Sequence, residues 1–318
     1  MGARRNFYGR IRVPSRAQRQ PRRLSNRNRH VSSRRFRALA DIRRKRPRAR
    51  RPNFVWGIAG TMNPSESAAS MAMLPHEYRV MFEIEEEYWW YRGLRVLLQG
   101  LIAQYVSADG RAKILDAGCG TGKNLQILAQ HGDAWGVDIA PEAIEFCRRR
   151  GLGTDRTLVA SLLELPFPET FFDVAFSFDV ICNIQHDVAA FREIRRTLKP
   201  DGYLIAQLPA YRFLWSAHDV AVGHKHRYMA RDLRAKIEKA GFRVKKLTYL
   251  NMSLFPLIAL LRFARRPAAH ANARSDLTPL PRGLNETLAR LFSAEMRVAP
   301  RHRFPFGISM LAVARRIE

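Results

Sequence analysis

The stretch ILDAGCGTGKNLQIL, residues 114–128, decides the fold together with GVD at residues 136–138. An apolar run leads straight into a turn with glycine at Gly118, Gly120 and Gly122, and the residues after the turn have helical spacing. Glycine adopts positive φ readily and leaves room for a ligand close to the backbone. This strand–turn–helix unit therefore predicts a binding loop at the end of a strand.

The same alternation continues along the chain. Strands are predicted at 112–117, 134–138, 156–160, 172–178, 202–208, 242–250 and 308–315. Helices are predicted at 83–103, 123–130, 141–150, 188–198 and 231–240. Alternating strands and helices indicate βαβ units, and therefore a parallel sheet that is covered by helices on both faces.

Two carboxylates flank the glycine turn. Asp138 ends the second strand, at the position where the hydroxyls of a ribose need an acceptor with two oxygens. The spacing G-x-G-x-G differs from the G-x-G-x-x-G of dinucleotide sites, and Asp116 beside the turn would repel a pyrophosphate. The same carboxylate would attract the sulfonium and ammonium charges of S-adenosylmethionine (SAM). The pattern favours methyl transfer over hydride transfer, and a tight turn without a ligand is the structural alternative.

Four segments resemble the successive motifs of class I SAM-dependent methyltransferases: ILDAGCGTG at 114–122, GVDIAPEAIEFCRRRG at 136–151, LPFPETFFDVAFSFDV at 165–180 and FREIRRTLKPDGYLIAQLPAY at 191–211. The likeness extends from residue 89 to residue 318 and is strongest to the bacterial group related to ubiquinone and menaquinone methyltransferases, whose acceptors range over small molecules and lipids. It implies an α/β fold with a Rossmann-like, seven-stranded, mostly parallel sheet, helices on both faces and an antiparallel last strand.

By this likeness the residues that bind the cofactor SAM are Asp116, Gly118, Cys119, Gly120, Gly122, Asp138, Ile139, Ser161, Leu162 and Phe178. Asp138 would hold the ribose, Ile139 would flank the adenine and Phe178 would lie beside the methionine part. The chain departs from the family pattern at two places. Ser161 stands where relatives often have an acidic residue, and Cys182 and Asn183 replace a Glu-His pair.

A polar segment follows the fifth strand, with LWSAHD at 214–219 and HKHRY at 224–228. Histidine titrates near neutrality and can take up a proton. His218 or His224 is therefore the candidate base, and Arg227 or Tyr228 the candidate orienting group. The alternatives are structural histidines with Asp219 paired to a cation, or a metal site made of His218, Asp219, His224 and His226. Because neither HExxH nor a carboxylate cluster is present, we expect no metal.

Two apolar regions flank these motifs. The aromatic run Trp89–Tyr91 precedes the first strand, where relatives often carry a helical lid, although core packing of the two tryptophans is an equal alternative. A segment of about fifty residues, 252–304, is inserted before the last strand. It is apolar at 255–261 and then basic at Arg262, an order that suits a lipid-like or anionic substrate at a membrane surface. The alternative is an amphipathic helix that caps the sheet.

The N-terminal part has a different composition. Residues 1–51 hold 20 Lys and Arg against one acid, Asp41, and so contribute +19 of the formal charge of +27. Residues 1–70 are predicted to be a disordered basic extension, because they lack the apolar surface needed to offset their ordering entropy. The interpretations are an arm with weak affinity for nucleic acid or anionic membranes, a transit peptide, or an extension upstream of a true start at Met62, Met71 or Met73.

Together these patterns predict a methyltransferase domain over 71–318 that uses SAM on a small-molecule or lipid-linked acceptor. The alternatives are an RNA methyltransferase, although 179–184 lack an Asn-Pro-Pro-Tyr type of signature, and a non-catalytic SAM-binding or nucleic-acid-binding protein. No apolar run is long enough to span a bilayer, and three scattered cysteines make no disulfide framework. We expect a cytoplasmic protein, with peripheral membrane association left open.

Overall fold

The computed structural model describes residues 73–264 and 277–318. The predicted extension, 1–70, lies outside the described residues, and the boundary at residue 71 stays a prediction. The helices are α1 Pro75–Ile84, α2 Trp89–Tyr105, α3 Lys123–Leu128, α4 Pro141–Arg149, α5 Asp187–Thr197, α6 Ala217–Ala221, α7 Ala230–Lys239, α8 Phe255–Ala264 and α9 Arg282–Val298. The strands are β1 Lys113–Ala117, β2 Asp133–Asp138, β3 Thr157–Val159, β4 Phe172–Phe178, β5 Leu198–Pro209, β6 Phe242–Leu250 and β7 Ser309–Arg316.

The seven strands form one sheet in the order β3-β2-β1-β4-β5-β7-β6. Neighbours from β3 to β5 pair in parallel, whereas β7 lies between β5 and β6 and is antiparallel to both. The expected fold class, a mostly parallel α/β sheet with an antiparallel last strand, is therefore confirmed. Because Ser309 pairs with both Pro209 and Leu250, β7 begins at the edge where β5 and β6 end.

Helices cover both faces of the sheet, as the alternation predicts. Successive strand residues point to opposite faces: Leu115 packs in the cluster with Phe191 of α5 and Ile237 of α7. Ile114 packs in the cluster with Leu97 of α2 and other residues of α3, α4 and α9. All five of these side chains are fully buried, so the central strands are held from both sides, as parallel strands require.

The prediction of one helix at 83–103 is wrong in one respect, because the chain forms two helices here, α1 and α2, joined by residues 85–88. Three consecutive glutamates occupy this joint, and negative charge at a helix C-terminus opposes the helix dipole. The guanidinium of Arg95 donates to the carbonyl oxygens of Glu85 and Glu86 at 2.5 and 2.6 Å. Asn285 of α9 accepts from the Trp89 amide at 2.9 Å and donates to the Glu87 carbonyl at 2.8 Å, which fixes the start of α2.

The insertion between β6 and β7 folds onto α2 rather than away from it. The ring of Phe292 on α9 stacks on Trp90, with centroids 4.9 Å apart and an angle of 5° between the planes. Gly93 makes this contact possible, since a Cβ there would lie 2.1 Å from Phe292 Cδ1. At the start of α8, the buried Glu295 carboxylate accepts from the amides of Met252 and Ser253 at 2.9 and 3.0 Å. The insertion thus supplies two helices that are tied to the body of the sheet.

Candidate functional site

A cavity of about 1050 Å³ opens at the edge of the sheet where the parallel strands end. This is the edge at which ligands bind in open α/β sheets. Pockets for a single drug-sized ligand span roughly 300–1,000 Å³, so the volume is sufficient for two small ligands side by side. One half is lined by the glycine turn and the ends of β2 and β4, and the other by α2, α8 and α9.

The glycine turn adopts the backbone that the sequence predicts. Gly118, Gly120 and Gly122 have φ of 88°, 52° and 85°, a region that disfavours any residue with a Cβ. A Cβ at Gly118 would lie 2.3 Å from Val180 Cγ2, and one at Gly122 would lie 2.8 Å from Cys147 Sγ on α4. Gly118, Cys119 and Gly120 line the cavity, whereas Gly122 supports the close approach of α3 and α4 behind it.

Asp138 connects the turn to the end of β2. Its Oδ2 accepts from the Gly120 amide at 3.0 Å, and its Oδ1 accepts from the Ala140 amide at 3.0 Å and from the Tyr78 hydroxyl at 3.2 Å. Burial raises the pKa of Asp138 above its usual range, although these hydrogen bonds oppose the rise. The carboxylate lines the cavity and is therefore available to a ligand.

Asp116 lies behind the turn, and its side chain does not line the cavity. Burial, and then the charge of Asp138, raises the pKa of Asp116 to about 7. Its Oδ2 is buried without a hydrogen-bond partner among the described residues. Two desolvated carboxylates at neighbouring strand ends make this half of the cavity favourable for a cation.

The other residues expected at the cofactor are divided between the cavity and the protein interior. Ile139, Leu162 and Phe178 line the cavity. Ser161 does not, because its Oγ accepts from the Leu163 amide at 3.1 Å and closes a local turn. Ala160 lines the wall beside it instead, and a contact between Ser161 and the ligand stays a prediction.

Asp219 organises the polar segment that follows β5. Its Oδ1 accepts from His224 Nδ1 and from Arg227 Nε, both at 2.7 Å, and its Oδ2 accepts from the Ser216 amide at 2.8 Å. Burial alone would raise the pKa of Asp219, but the hydrogen bond from His224 and the charge of Arg227 hold it well below its usual range. An ionised Asp219 requires hydrogen on Nδ1, so that in the neutral ring Nε2 of His224 is the proton acceptor.

Asp179 and Cys182 join this cluster and were missed in the sequence. A carboxylate oxygen of Asp179, the sulfur of Cys182 and a ring nitrogen of His224 lie within 4.8 Å of one another. Burial raises the pKa of Asp179 to about 6, against the opposing influence of His224 and Arg227. Asp179 has a φ of 57° and lines the cavity directly after β4. A polar residue at the end of a central parallel strand was the signal that could have found it.

The candidate residues of the polar segment separate into two groups. His218, His224 and Arg227 line the cavity. Tyr228 does not: it is buried in the core, and its hydroxyl donates to Asp187 at 2.9 Å. The expected role of Tyr228 at the acceptor is therefore corrected to a structural one. His226 lies 3.1 Å from the Gln185 carbonyl oxygen through Nε2, so the four-residue metal set considered from the sequence is not brought together at the cavity.

Comparison with known proteins agrees with this geometry. A family model described as a methyltransferase domain matches residues 115–206, which span the glycine turn, Asp138 and the following strands. A probable S-adenosylmethionine-dependent methyltransferase of Mycobacterium tuberculosis is 28% identical over 187 residues, 58% of this chain and 66% of that relative. The chain carries a class I SAM-dependent methyltransferase domain. SAM is the cofactor of this domain.

Two further proteins resemble the chain, one in sequence and one in fold. Phosphoethanolamine N-methyltransferase 3 of Arabidopsis thaliana is 33% identical over 98 residues, which are 29% of this chain and 20% of the plant protein. A putative methyltransferase of Haloferax volcanii, solved with its methyltransferase activator, has a TM-score of 0.51 and 18% identity, covering 80% of this chain and 98% of that chain. The chain thus matches less than two thirds of the length of the mycobacterial and plant relatives.

The methyltransferase domain has a charged connection between α1 and the cofactor loop that the sequence did not reveal. Glu85 accepts from Thr121 Oγ1 at 2.5 Å and from the guanidinium of Arg150. Arg150 Nε also donates to the Thr121 carbonyl at 2.9 Å. Beside it, Tyr78 and Met81 of α1 line the cavity. The residues are too far apart in sequence to form a motif, yet together they hold α1 over the turn.

The second half of the methyltransferase cavity is apolar. Leu257, Ile258 and Leu261 of α8 face it together with Leu284 and Leu288 of α9. The aromatic pair predicted as a lid, Trp89 and Trp90, lines the same wall and also packs on Phe292. The packing interpretation of the pair is therefore confirmed, and its role as a lid stays a prediction. Among the helices that the structure describes, none has the length and apolar character needed to cross a bilayer.

Proposed function

We propose that the protein transfers a methyl group from SAM to a small-molecule or lipid-like acceptor that lies in the apolar half of the cavity, with His224 as the proton acceptor. One observation carries the proposal: a single cavity joins the glycine turn and Asp138 to a wall of leucines, and His224 lines it. The distance between cofactor and acceptor is then short without any movement of the sheet. Proximity of this kind supplies much of the rate in a transfer between two bound ligands.

The cofactor half fits SAM through four features of the described residues. The turn at Gly118 and Gly120 leaves backbone exposed, Asp138 offers carboxylate oxygens to a ribose, and the apolar side chains of Ile139 and Leu162 suit the adenine. Asp116 lies buried behind the turn with a pKa raised to about 7, and a bound cation would favour its ionised form. Bound SAM supplies an activated methyl group on a sulfonium, which needs no further activation as a leaving group. The cofactor-side residues therefore bind and orient, and play no acid–base part.

On the acceptor side the chain has to align a nucleophile and remove its proton. Asp219 fixes the ring of His224 through the 2.7 Å contact at Nδ1, so that Nε2 is the nitrogen that can take up a proton. Arg227 Nε donates to the same oxygen of Asp219 at 2.7 Å and holds the carboxylate in place. These two residues act through His224 and are positioning residues. His218 lines the same part of the cavity and is the second candidate for this role.

Calorimetry with SAM tests the cofactor assignment. We expect Asp138→Ala to weaken SAM binding by about tenfold or more, since hydrogen bonds to a charged group contribute about 1.5–3 kcal/mol. The assignment is wrong if Asp138→Ala binds SAM as tightly as the parent.

A transfer assay tests the acceptor class. Cell extract is incubated with methyl-labelled SAM and the protein, and then separated into lipid, polar and RNA fractions. We expect label in the lipid or polar small-molecule fraction, and its loss in His224→Gln with SAM affinity unchanged. Label confined to RNA would instead support the RNA methyltransferase alternative.

A further inference from the structure

Large apolar side chains are exposed around the mouth of the cavity. The mouth patch consists of Phe213, Trp215, Leu257, Leu260, Leu261 and Leu284. Leu260 is 65% exposed and Leu257 54%, although apolar side chains of this size are usually buried. Trp215, Leu257, Leu261 and Leu284 also line the cavity, so the patch and the cavity form one continuous apolar surface.

The patch is assembled from three separate segments. Phe213 and Trp215 precede α6, three leucines belong to α8, and Leu284 belongs to α9. Arg262 of α8 donates to the Leu214 carbonyl at 3.0 Å and so joins the first two segments. The patch is therefore built by the fold around the entrance, whereas single exposed leucines elsewhere on a surface carry no such meaning.

The exposed charge at the edge of the patch is mainly basic. Arg212 and Arg282 are exposed, whereas the two neighbouring acids are paired: Asp219 is buried with Arg227, and Glu286 pairs with Arg92. Leucine and tryptophan exposed beside arginine is the composition of surfaces that lie in the interface of an anionic bilayer. The negative surface of an anionic bilayer also attracts basic residues electrostatically.

We propose that the mouth patch docks on the surface of an anionic lipid bilayer, and that the acceptor enters the cavity from the membrane. The second clause rests on the proposed function, whereas the first does not. Docking in this orientation would bury Leu257, Leu260 and Leu261 in the apolar boundary and place the exposed Arg212 and Arg282 near the headgroups. A protein partner on the same patch would close the entrance to the acceptor, while a bilayer supplies a lipid-like acceptor at that point.

Flotation of the full-length protein with vesicles tests the docking. Vesicles of phosphatidylcholine with phosphatidylglycerol are compared with phosphatidylcholine alone, at low and high salt. The variant is Leu260→Glu, because Leu260 belongs to the patch but does not line the cavity. The matched control is Ile317→Glu, an exposed apolar residue after β7, at the opposite edge of the sheet. All three proteins keep residues 1–70, so any binding by that segment is common to them.

We expect the parent and Ile317→Glu to float with anionic vesicles and Leu260→Glu to bind about tenfold more weakly or worse, with the difference persisting at high salt. Equal flotation of Leu260→Glu and the parent, or no flotation of the parent, would overturn the docking. Light scattering gives a further test. A parent dimer that becomes a monomer in Leu260→Glu would also overturn the docking, because a second copy of the chain would then cover the patch. SAM calorimetry on the same samples separates the outcomes: SAM binding without flotation refutes only the docking, and flotation without SAM binding refutes only the proposed function.

Discussion

At the scale of single residues, the unusual feature is a pair of buried carboxylates, Asp116 and Asp138, at the ends of neighbouring strands. Both have raised pKa values, and burial is the largest cause in each case. A bound cation stabilises the ionised form of such groups. Protons and SAM should therefore compete at this half of the cavity.

This competition predicts a pH dependence of SAM affinity. Asp116 has a pKa of about 7 in the protein without SAM, and a nearby sulfonium or ammonium lowers it. Below pH 7 binding therefore has to release the Asp116 proton, and the dissociation constant should rise by up to about tenfold per pH unit. Calorimetry between about pH 8 and pH 5.5 measures the slope. The SAM affinity of Asp116→Asn should depend less steeply on pH over the same range. An unchanged slope in that variant would contradict the assignment.

Asp219 gives a second prediction at this scale, on stability. Asp219→Asn removes the negative charge that pairs with Arg227, whose side chain is 3% exposed, and leaves that cation buried. Breaking a buried pair in this way costs about 3–5 kcal/mol of unfolding free energy. Urea unfolding checks it, with Glu145→Gln as the control. Glu145 pairs with arginines on the surface at 3.5 and 3.7 Å, and its loss should change stability by less than about 1 kcal/mol.

The residues predicted from the sequence are those whose signals are local. Gly118, Gly120 and Asp138, which line the cavity, could be predicted because a strand, a turn and a carboxylate follow one another along the chain. Glu85 and Arg150 were missed because they meet only in the folded protein, 65 positions apart. Tyr228 was misassigned for a related reason, since its neighbour Arg227 lines the cavity while the Tyr228 hydroxyl reaches Asp187, 41 positions away.

At the scale of elements, the strands and helices of the sheet followed from apolar spacing, with ends shifted by a few residues. The exceptions are α6 and most of α1, which were not predicted, and the joint between α1 and α2. Apolar periodicity continues across residues 83–103 and therefore predicts one helix. The break depends on Arg95 and on Asn285 of the distant α9, and a pattern read along the chain cannot contain that contact.

One prediction concerns how α8 is attached. The Glu295 carboxylate accepts from the amides of Met252 and Ser253 and from Ser253 Oγ at 2.8–3.0 Å, which acts as a cap for the segment that enters α8. Glu295→Ala should cost about 1–2 kcal/mol locally, and the amides of 252–262 should exchange hydrogen about 5–30-fold faster. Exchange followed by mass spectrometry measures this. Peptides from β1 should not change, and equal protection of 252–262 in both proteins would contradict the role of Glu295.

At the scale of the whole molecule, the cofactor half and the acceptor half of the cavity come from different parts of the chain. Residues before β5 supply the cofactor half, and residues after β5 supply most of the acceptor half, with α2 shared. The sequence predicted the first half well because its motifs are common to many methyltransferases. It left the second half open, because the leucines of α8 and α9 meet only through long-range packing.

A ligand that binds only the folded protein stabilises it. At a SAM concentration about 100 times the dissociation constant, the free energy of unfolding should rise by about 2.7 kcal/mol. Thermal unfolding with and without SAM measures the shift in Tm, and Asp138→Ala should show a smaller shift at the same concentration. If SAM does not change the Tm of the parent protein, this result would contradict cofactor binding by the folded domain.

The placement of β7 has one more consequence. Because β7 runs backwards between β5 and β6, the chain leaves the sheet at Leu250 and returns at Ser309 on the same rim. The insertion between these two points therefore starts and ends at the rim that carries the cavity, on the side away from the glycine turn. Under the proposed function, exchanging the cavity-lining residues of this insertion should change what is methylated while the methyl donor stays the same, provided that Asn285 and Phe292 are kept to hold α2.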